Sequence, residues 1–186
     1  KNIKIDKKVK SALTPEELEL LRDACQTPRE KALVEFFYST GCRLDEVYKL
    51  NKDDIQWQSG TIIVKGKGNK ERPVYLNAKA KLQLKKYLYS RTDNCEALFV
   101  SERKPYGRLG HRSIQRIFRK LGERAGIQKV VHPHLIRHTT ATNMLRNGAS
   151  LSEVQHYLGH DDPATTQIYI DFDRSAIKNA HKKYLA

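Results

Sequence analysis

Ile55-Gln56-Trp57-Gln58-Ser59-Gly60-Thr61-Ile62-Ile63-Val64-Lys65-Gly66-Lys67-Gly68-Asn69-Lys70-Glu71-Arg72-Pro73-Val74-Tyr75-Leu76 is where the apolar period of this chain changes. Before and after it, apolar residues recur at helical spacing. Within it, three short runs rich in β-branched and aromatic residues stand apart: Ile55-Gln56-Trp57, Thr61 to Lys65 and Arg72 to Leu76. Ser59-Gly60 and Gly66-Lys67-Gly68-Asn69 separate them. Runs of this kind bounded by glycine-containing turns predict three strands linked as hairpins.

Helices surround this sheet. Thr14-Pro15-Glu16-Glu17 is a start signal: Thr14 can cap, Pro15 suits the first helical position and Glu17 completes a capping box. This helix is expected to reach about Gln26. Pro28 opens a second, over Glu30 to Ser39, with Ala32, Leu33, Phe36 and Phe37 on its apolar face and Gly41 as its stop. A short helix follows from Leu44 to about Leu50. Beyond the strands, 78–90, 111–125, 134–147, 151–158, 163–170 and 173–184 read as helices, with Gly126, Gly148 and Gly159 at helix ends and Ser150 with Glu153 as a second capping box. The expected fold is mainly α with a small three-stranded antiparallel β-sheet. Residues 1–12 are polar and lysine-rich and read as a linker or arm, and 13–186 as one domain. No internal repeat or low-complexity tract is present.

The 186 residues suffice for one domain with a real core. No run of about 18 apolar residues offers a membrane span. The start, Lys1-Asn2-Ile3-Lys4, lacks the apolar stretch of a signal peptide and has no Met at position 1, which reads as a fragment of a longer protein. Cys25, Cys42 and Cys95 are scattered without a CxxC pair, arguing for a reducing compartment and against a disulfide framework or zinc site. The formal charge is +14, from 35 Lys+Arg against 21 Asp+Glu. Such an excess repels itself unless a polyanion compensates it, so nucleic acid is the leading partner. An acidic membrane surface comes second, and a merely soluble basic protein is the plain alternative.

Several side chains could carry chemistry. Arg43 lies between a helix-ending glycine and a new helix, where its guanidinium can reach a phosphate with a bidentate fork. Taken alone it is more readily a surface arginine beside Asp45 and Glu46. Cys42 reads as a small buried hydrophobe. The glycine-rich connection around Lys67, with Lys65, Lys70 and Arg72 nearby, suits a hairpin tip reaching into a DNA groove, or an ordinary solvated turn. His134 and Arg137 are three apart and share a helix face, and Pro133 places the positive helix end near His134. An anionic phosphate would be held there. His132, His134 and His138 cluster, which makes a metal site the alternative reading. No Cys or carboxylate lies at a fitting interval, and the His134/His138 pair lacks the glutamate of an HExxH helix. Leu158-Gly159-His160 puts an imidazole just past a helix end, where a C-terminal cation is favourable anyway. Tyr169 is one of nine tyrosines, on a short helix opened by Asp162-Pro163. Arg112 and Arg116 are further basic candidates for DNA contact.

Together, Thr40-Gly41-Cys42-Arg43, Gly66-Lys67-Gly68, His134-Leu135-Ile136-Arg137, Leu158-Gly159-His160 and Thr165-Thr166-Gln167-Ile168-Tyr169 resemble the catalytic domain of the tyrosine recombinases, or phage-integrase family, from about Thr14 to the C-terminus. The resemblance implies that Arg43, His134, Arg137 and His160 hold the scissile phosphate and that Tyr169 is the nucleophile. It implies too that Lys67, between its glycines, protonates the leaving 5′ oxygen. Lys65, Lys70, Arg72, Arg112 and Arg116 would then contact DNA, His138 would be structural, and Tyr157, the nearest rival tyrosine, would pack inward. Family members often carry a histidine shortly after the nucleophile, where this chain has Ile170-Asp171.

On that resemblance, Tyr169 attacks in line to give a 3′-phosphotyrosyl bond, with no cofactor and no metal, because side chains supply the charge. A type IB topoisomerase would use the same constellation, and a decayed integrase could survive as a non-catalytic DNA-binding module. The complete residue set argues against the latter. The expected partner is double-stranded DNA in a bacterial cytoplasm or nucleoid, with residues 1–12 leading toward a separate N-terminal DNA-binding domain. Ala176, Ile177, Ala180, Tyr184 and Leu185 form one apolar face in the last segment. The expected assembly is a monomer in free solution and a homotetramer on paired DNA sites.

Overall fold

The structure, a computed structural model, describes residues 11–159. The expected helices 163–170 and 173–184, His160 and Tyr169 lie outside the described residues, as do residues 1–10 of the arm.

The order is α1 (Pro15–Asp23), α2 (Pro28–Thr40), α3 (Leu44–Lys49), β1 (Ile55–Gln56), β2 (Thr61–Lys65), β3 (Glu71–Tyr75), α4 (Ala78–Tyr89), α5 (His111–Arg124), α6 (Pro133–Arg146) and α7 (Leu151–Leu158). The strands form one antiparallel sheet in the order β1-β2-β3, with Ile62 opposite both Ile55 and Val74. The fold is thus mainly helical with a three-stranded antiparallel sheet. In α1 the Thr14 hydroxyl accepts from the Glu17 backbone and Glu17 accepts from the Thr14 backbone, a reciprocal capping box. Ser150 and Glu153 do the same for α7. Helix α1 ends at Asp23, three residues short of expectation. Gln26 and Thr27 instead serve the next helix: both backbone N–H groups donate to Glu30, and Thr27 accepts from the Glu30 N–H.

Helix α2 is the centre of the molecule. Ala32, Leu33, Val34, Phe36 and Phe37 are all buried, and the helix packs on α4 and α6. Phe36 meets Phe99 edge-on with ring centroids 5.7 Å apart, and Phe37 meets Phe118 at 5.2 Å. Ala141, Val154 and Leu158 make a smaller cluster that fixes α7 onto α6. The stretch 91–110 contains no helix, yet Ala97, Leu98, Phe99 and Val100 are buried. Its backbone is held by isolated bridges, Asn51 with Ala97 and Val100 with Arg108, and by Arg91, which donates to the carbonyls of Cys95, Ala97 and Leu98, while Arg108 ties the stretch to the carbonyls of Tyr48 and Leu50. The guanidiniums thus add to this backbone pairing in satisfying the carbonyls of a stretch without a regular strand.

Candidate active site

Gly41 ends α2 in the left-handed conformation, at φ +58°. The chain then turns at once into α3, and Arg43 stands at that corner. The Arg43 backbone N–H donates to Glu46 Oε2 at 2.7 Å, and its Nη1 lies 3.2 Å from Glu46 Oε1. The Glu46 side chain is only 1% exposed, whereas that of Arg43 is 40% exposed. Glu46 also takes Arg72 Nη2 at 2.8 Å. A buried carboxylate is costly unless paired and hydrogen-bonded. Two guanidiniums and one backbone N–H meet that requirement here.

Arg137, at 2% exposure, lies on the face of α6 turned toward α2 and α7. It donates to the carbonyl of Gly41 and, at 2.8 Å, to that of Leu158. Arg43 Nη2 donates to the Gly159 carbonyl at 2.9 Å, and Arg72 Nη1 to the Tyr157 carbonyl at 2.9 Å. Three successive carbonyls at the end of α7 therefore each accept from a different arginine. A helix C-terminus presents unpaired carbonyls and partial negative charge, which suits cations. This arrangement gathers three cations within one helical turn, with one carboxylate among them.

The β2–β3 hairpin reaches the same place. A Cβ on Gly66 would lie 3.5 Å from Glu46 Oε1 and 3.9 Å from Arg43 Nη1. Lys67 follows directly, in a 3₁₀ turn over Lys67–Asn69, with Gly68 at φ +71°. The Lys67 side chain is outside what the structure describes; its backbone follows Gly66, which stands next to Arg43. Lys65 and Lys70 are exposed on the hairpin, and Lys65 lies 3.3 Å from Glu71.

On the other side of Arg43 a cleft of about 400 Å³ is lined by Arg43, His132, His134, Gln115 and Arg119, among others. His132 caps α6 by accepting from the Leu135 N–H at Nδ1, 3.2 Å away. His134 is exposed at the start of α6, its ring 6.5 Å from that of His132. His138 is half-buried, and burial, followed by the neighbouring His134, lowers its pKa. Burial pushes the Cys42 thiol up to about 12, with Glu46 adding to the effect, so Cys42 is a packing residue. Tyr157 is turned inward: its hydroxyl donates to the Ser39 carbonyl, and burial raises its pKa. Arg112 and Arg116 are exposed on α5, and Arg119 continues their stripe into the cleft. Among the described residues, no three His, Cys, Asp or Glu side chains are grouped to hold a metal ion, and no helix is long and apolar enough to cross a membrane.

The structure thus brings Arg43 and Arg137 onto the end of α7, with Gly66 of the hairpin beside Arg43 and Arg43 also lining the cleft that holds His134. His160 follows Gly159 directly in sequence, and both it and Tyr169 lie outside the described residues. Arg72 differs in kind from the other expected DNA contacts. Its side chain is 13% exposed and its two terminal nitrogens bind protein groups. Sequence reasoning missed Glu46, Gln115 and Arg119. A signal for Glu46 was its place one residue before Val47 and four before Leu50, on an apolar helix face. Arg119 lies three residues after Arg116 on the same helix.

The model of the phage integrase family matches residues 11–175, and the chain belongs to that family. It is 39% identical over 191 residues to the tyrosine recombinase XerC of Oceanobacillus iheyensis, covering 97% of this chain and 63% of that protein. It is 43% identical over 164 residues to XerC of Shewanella sp. (strain ANA-3), covering 84% of this chain and 54% of that one. Among solved structures, the XerA recombinase matches with a TM-score of 0.83 at 36% identity, over 95% of this chain and 64% of that one. The XerH site-specific recombinase, in a post-cleavage complex with its palindromic difH substrate, matches with a TM-score of 0.77 at 27% identity, over 96% of this chain and 54% of that one. The chain spans less than two thirds of the length of these relatives.

Proposed function

We propose that this chain is the catalytic domain of a site-specific DNA recombinase that cuts and rejoins strands through a 3′-phosphotyrosyl intermediate. The observation that carries the reading is the convergence of Arg43, Arg137 and the Lys67 hairpin on the turn that leads into His160, in a chain of this family. In the proposed reaction the Tyr169 phenol gives up its proton to solvent as its oxygen attacks phosphorus in line and forms the O–P bond. The bond from phosphorus to the 5′ oxygen breaks, and Lys67 gives that oxygen a proton. Arg43, Arg137, His134 and His160 face the non-bridging oxygens, where charge builds up in the transition state. The phosphodiester energy is kept in the phosphotyrosine. A 5′ hydroxyl from a second strand then attacks phosphorus and releases the tyrosine. Double-stranded DNA is the substrate, approached by the cleft, the exposed Arg112–Arg116–Arg119 stripe of α5, and Lys65 and Lys70. The proposed assembly is a monomer in free solution and a homotetramer on paired sites.

The test uses a pool of nicked duplexes of randomised sequence, whose cleavage releases a short fragment and traps the covalent state. We expect a detergent-resistant protein–DNA adduct, unaffected by EDTA and absent for Tyr169→Phe, which keeps DNA binding. An adduct that survives Tyr169→Phe moves the nucleophile elsewhere. An adduct lost to EDTA and restored by a divalent cation overturns the metal-free mechanism.

A further inference from the structure

We propose that Arg72 is a positioning residue for strand cleavage, setting where Arg43 and the end of α7 stand while leaving DNA contact to its neighbours. The inference rests on the recombinase reading above. Both terminal nitrogens of Arg72 already donate to protein, Nη1 to the Tyr157 carbonyl at 2.9 Å and Nη2 to Glu46 Oε2 at 2.8 Å. Its Nε is buried without a hydrogen-bond partner among the described residues. Gly159 explains that orphaned atom: a Cβ there would come within 2.5 Å of Arg72 Cδ and 2.7 Å of Nε. The guanidinium is thus wedged against the bare α-carbon of Gly159, in space that a phosphate oxygen would need in order to reach Nε.

What Arg72 touches is what places Arg43. Glu46 Oε2 is shared between Arg72 Nη2 and the Arg43 backbone N–H, while Oε1 faces Arg43 Nη1. The Gly159 carbonyl that Arg43 holds is two residues beyond the Tyr157 carbonyl that Arg72 holds. Arg72 therefore braces Arg43 from two directions, through a shared carboxylate and through a shared helix end. Truncating it leaves a buried carboxylate with one guanidinium fewer and a helix-end carbonyl unpaired, and Arg43 loses its fixed frame. Small misplacements of a phosphate-gripping group are expensive in rate. Lysine cannot replace the fork, because a single ammonium lacks the planar pair of donors that spans Glu46 and the Tyr157 carbonyl.

The experiment compares Arg72→Ala, Arg72→Lys and Lys70→Ala with the parent chain on a nicked duplex that the parent cleaves. Equilibrium affinity is read across a salt series, cleavage is read as a single-turnover rate at saturating DNA, and thermal midpoints are recorded. We expect both Arg72 variants to bind with unchanged salt slope and to cleave more slowly by on the order of 10- to 100-fold. Ethylguanidinium should restore part of the Arg72→Ala rate in a saturable way, which a general loss of stability would not allow. Lys70→Ala, at a proposed DNA contact, should instead lower the salt slope by about one. If Arg72→Ala does not fold, Arg72→Lys, which keeps a cation beside Glu46, decides the matter. A salt slope reduced by about one in either Arg72 variant, or a cleavage rate equal to the parent's, overturns the proposal. A parent chain that forms no adduct on any duplex overturns the recombinase reading, and this proposal with it.

Discussion

Arg137 of α6 and Arg43, at the corner between α2 and α3, donate to adjacent carbonyls, those of Leu158 and Gly159, at 2.8 and 2.9 Å. The two guanidiniums are therefore spaced by one peptide unit of α7. This backbone gauge depends on few long side chains, and on Glu46 for the orientation of Arg43.

Glu46→Gln tests that dependence. The substitution keeps shape but removes the charge between Arg43 and Arg72 and leaves two cations facing each other around a neutral amide. Breaking a buried pair by removing one partner costs on the order of 3 kcal/mol. We expect a loss of that size in urea unfolding, together with slower cleavage. A loss no larger than that of an exposed-pair variant such as Glu123→Gln would mean that Glu46 is solvated in solution.

Gly159 and Gly126 allow a matched comparison. Both occupy the left-handed region, at φ +65° and +69°. A Cβ on Gly126 meets nothing within 4 Å, whereas one on Gly159 strikes Arg72. Gly126→Ala should cost about 1–2 kcal/mol, the conformational penalty alone. Gly159→Ala should carry the same penalty and also displace Arg72, so cleavage should fall in this variant only. Equal cleavage rates in the two variants would count against the contact.

His138 gives stability a pH dependence. Its folded pKa is lowered from the ordinary 6.5 by burial and by His134. The unfolded chain therefore binds more protons than the folded one between the lowered value and 6.5, and stability rises with pH across that window. The contribution is complete above 6.5 and is lost as pH falls toward the folded pKa. Urea midpoints at pH 7.5 and pH 5.5 should differ less for His138→Gln than for the parent chain. An unchanged pH dependence would place the effect on other groups.

Lys67→Ala should slow cleavage of ordinary DNA. A 5′-bridging phosphorothioate has a leaving group that needs no proton, so it should restore most of the rate. If the sulfur substrate fails to rescue, Lys67 is not the acid.

Much of the fold was legible because local signals agreed with tertiary demands. The strand runs, the Thr14 and Ser150 capping boxes and the glycine stops all lie within a few residues of their expected places. The stretch 91–110 was not legible, because Leu98, Phe99 and Val100 are buried without a regular period and held by the Arg91 side chain and by backbone bonds to Leu50 and Leu109 from outside the run. Within the site, Arg43 and Arg137 were readable from their neighbours. The inward turn of Arg72 left one trace. It stands two residues before the buried Val74 on β3, and alternate residues of a strand share a face. Basic character pointed toward DNA, while strand parity pointed toward the interior, and parity describes the observed side chain. Glu46 was hidden because a carboxylate beside arginines looks like a surface pair until its burial is known.

The small sheet also acts as a phase lock. Ile62, Val64 and Val74 are buried on one face, and the pairing runs from Thr61 opposite Tyr75 to Lys65 opposite Glu71. A slip of one residue would turn that apolar set to water and move the tip of the hairpin along its own axis. The whole cost of exposing Ile62 and Val64 thus stands behind the position of Gly66 beside Arg43. Insertions at the tip can change what the hairpin touches, but they cannot retune its phase without unseating the core beneath it.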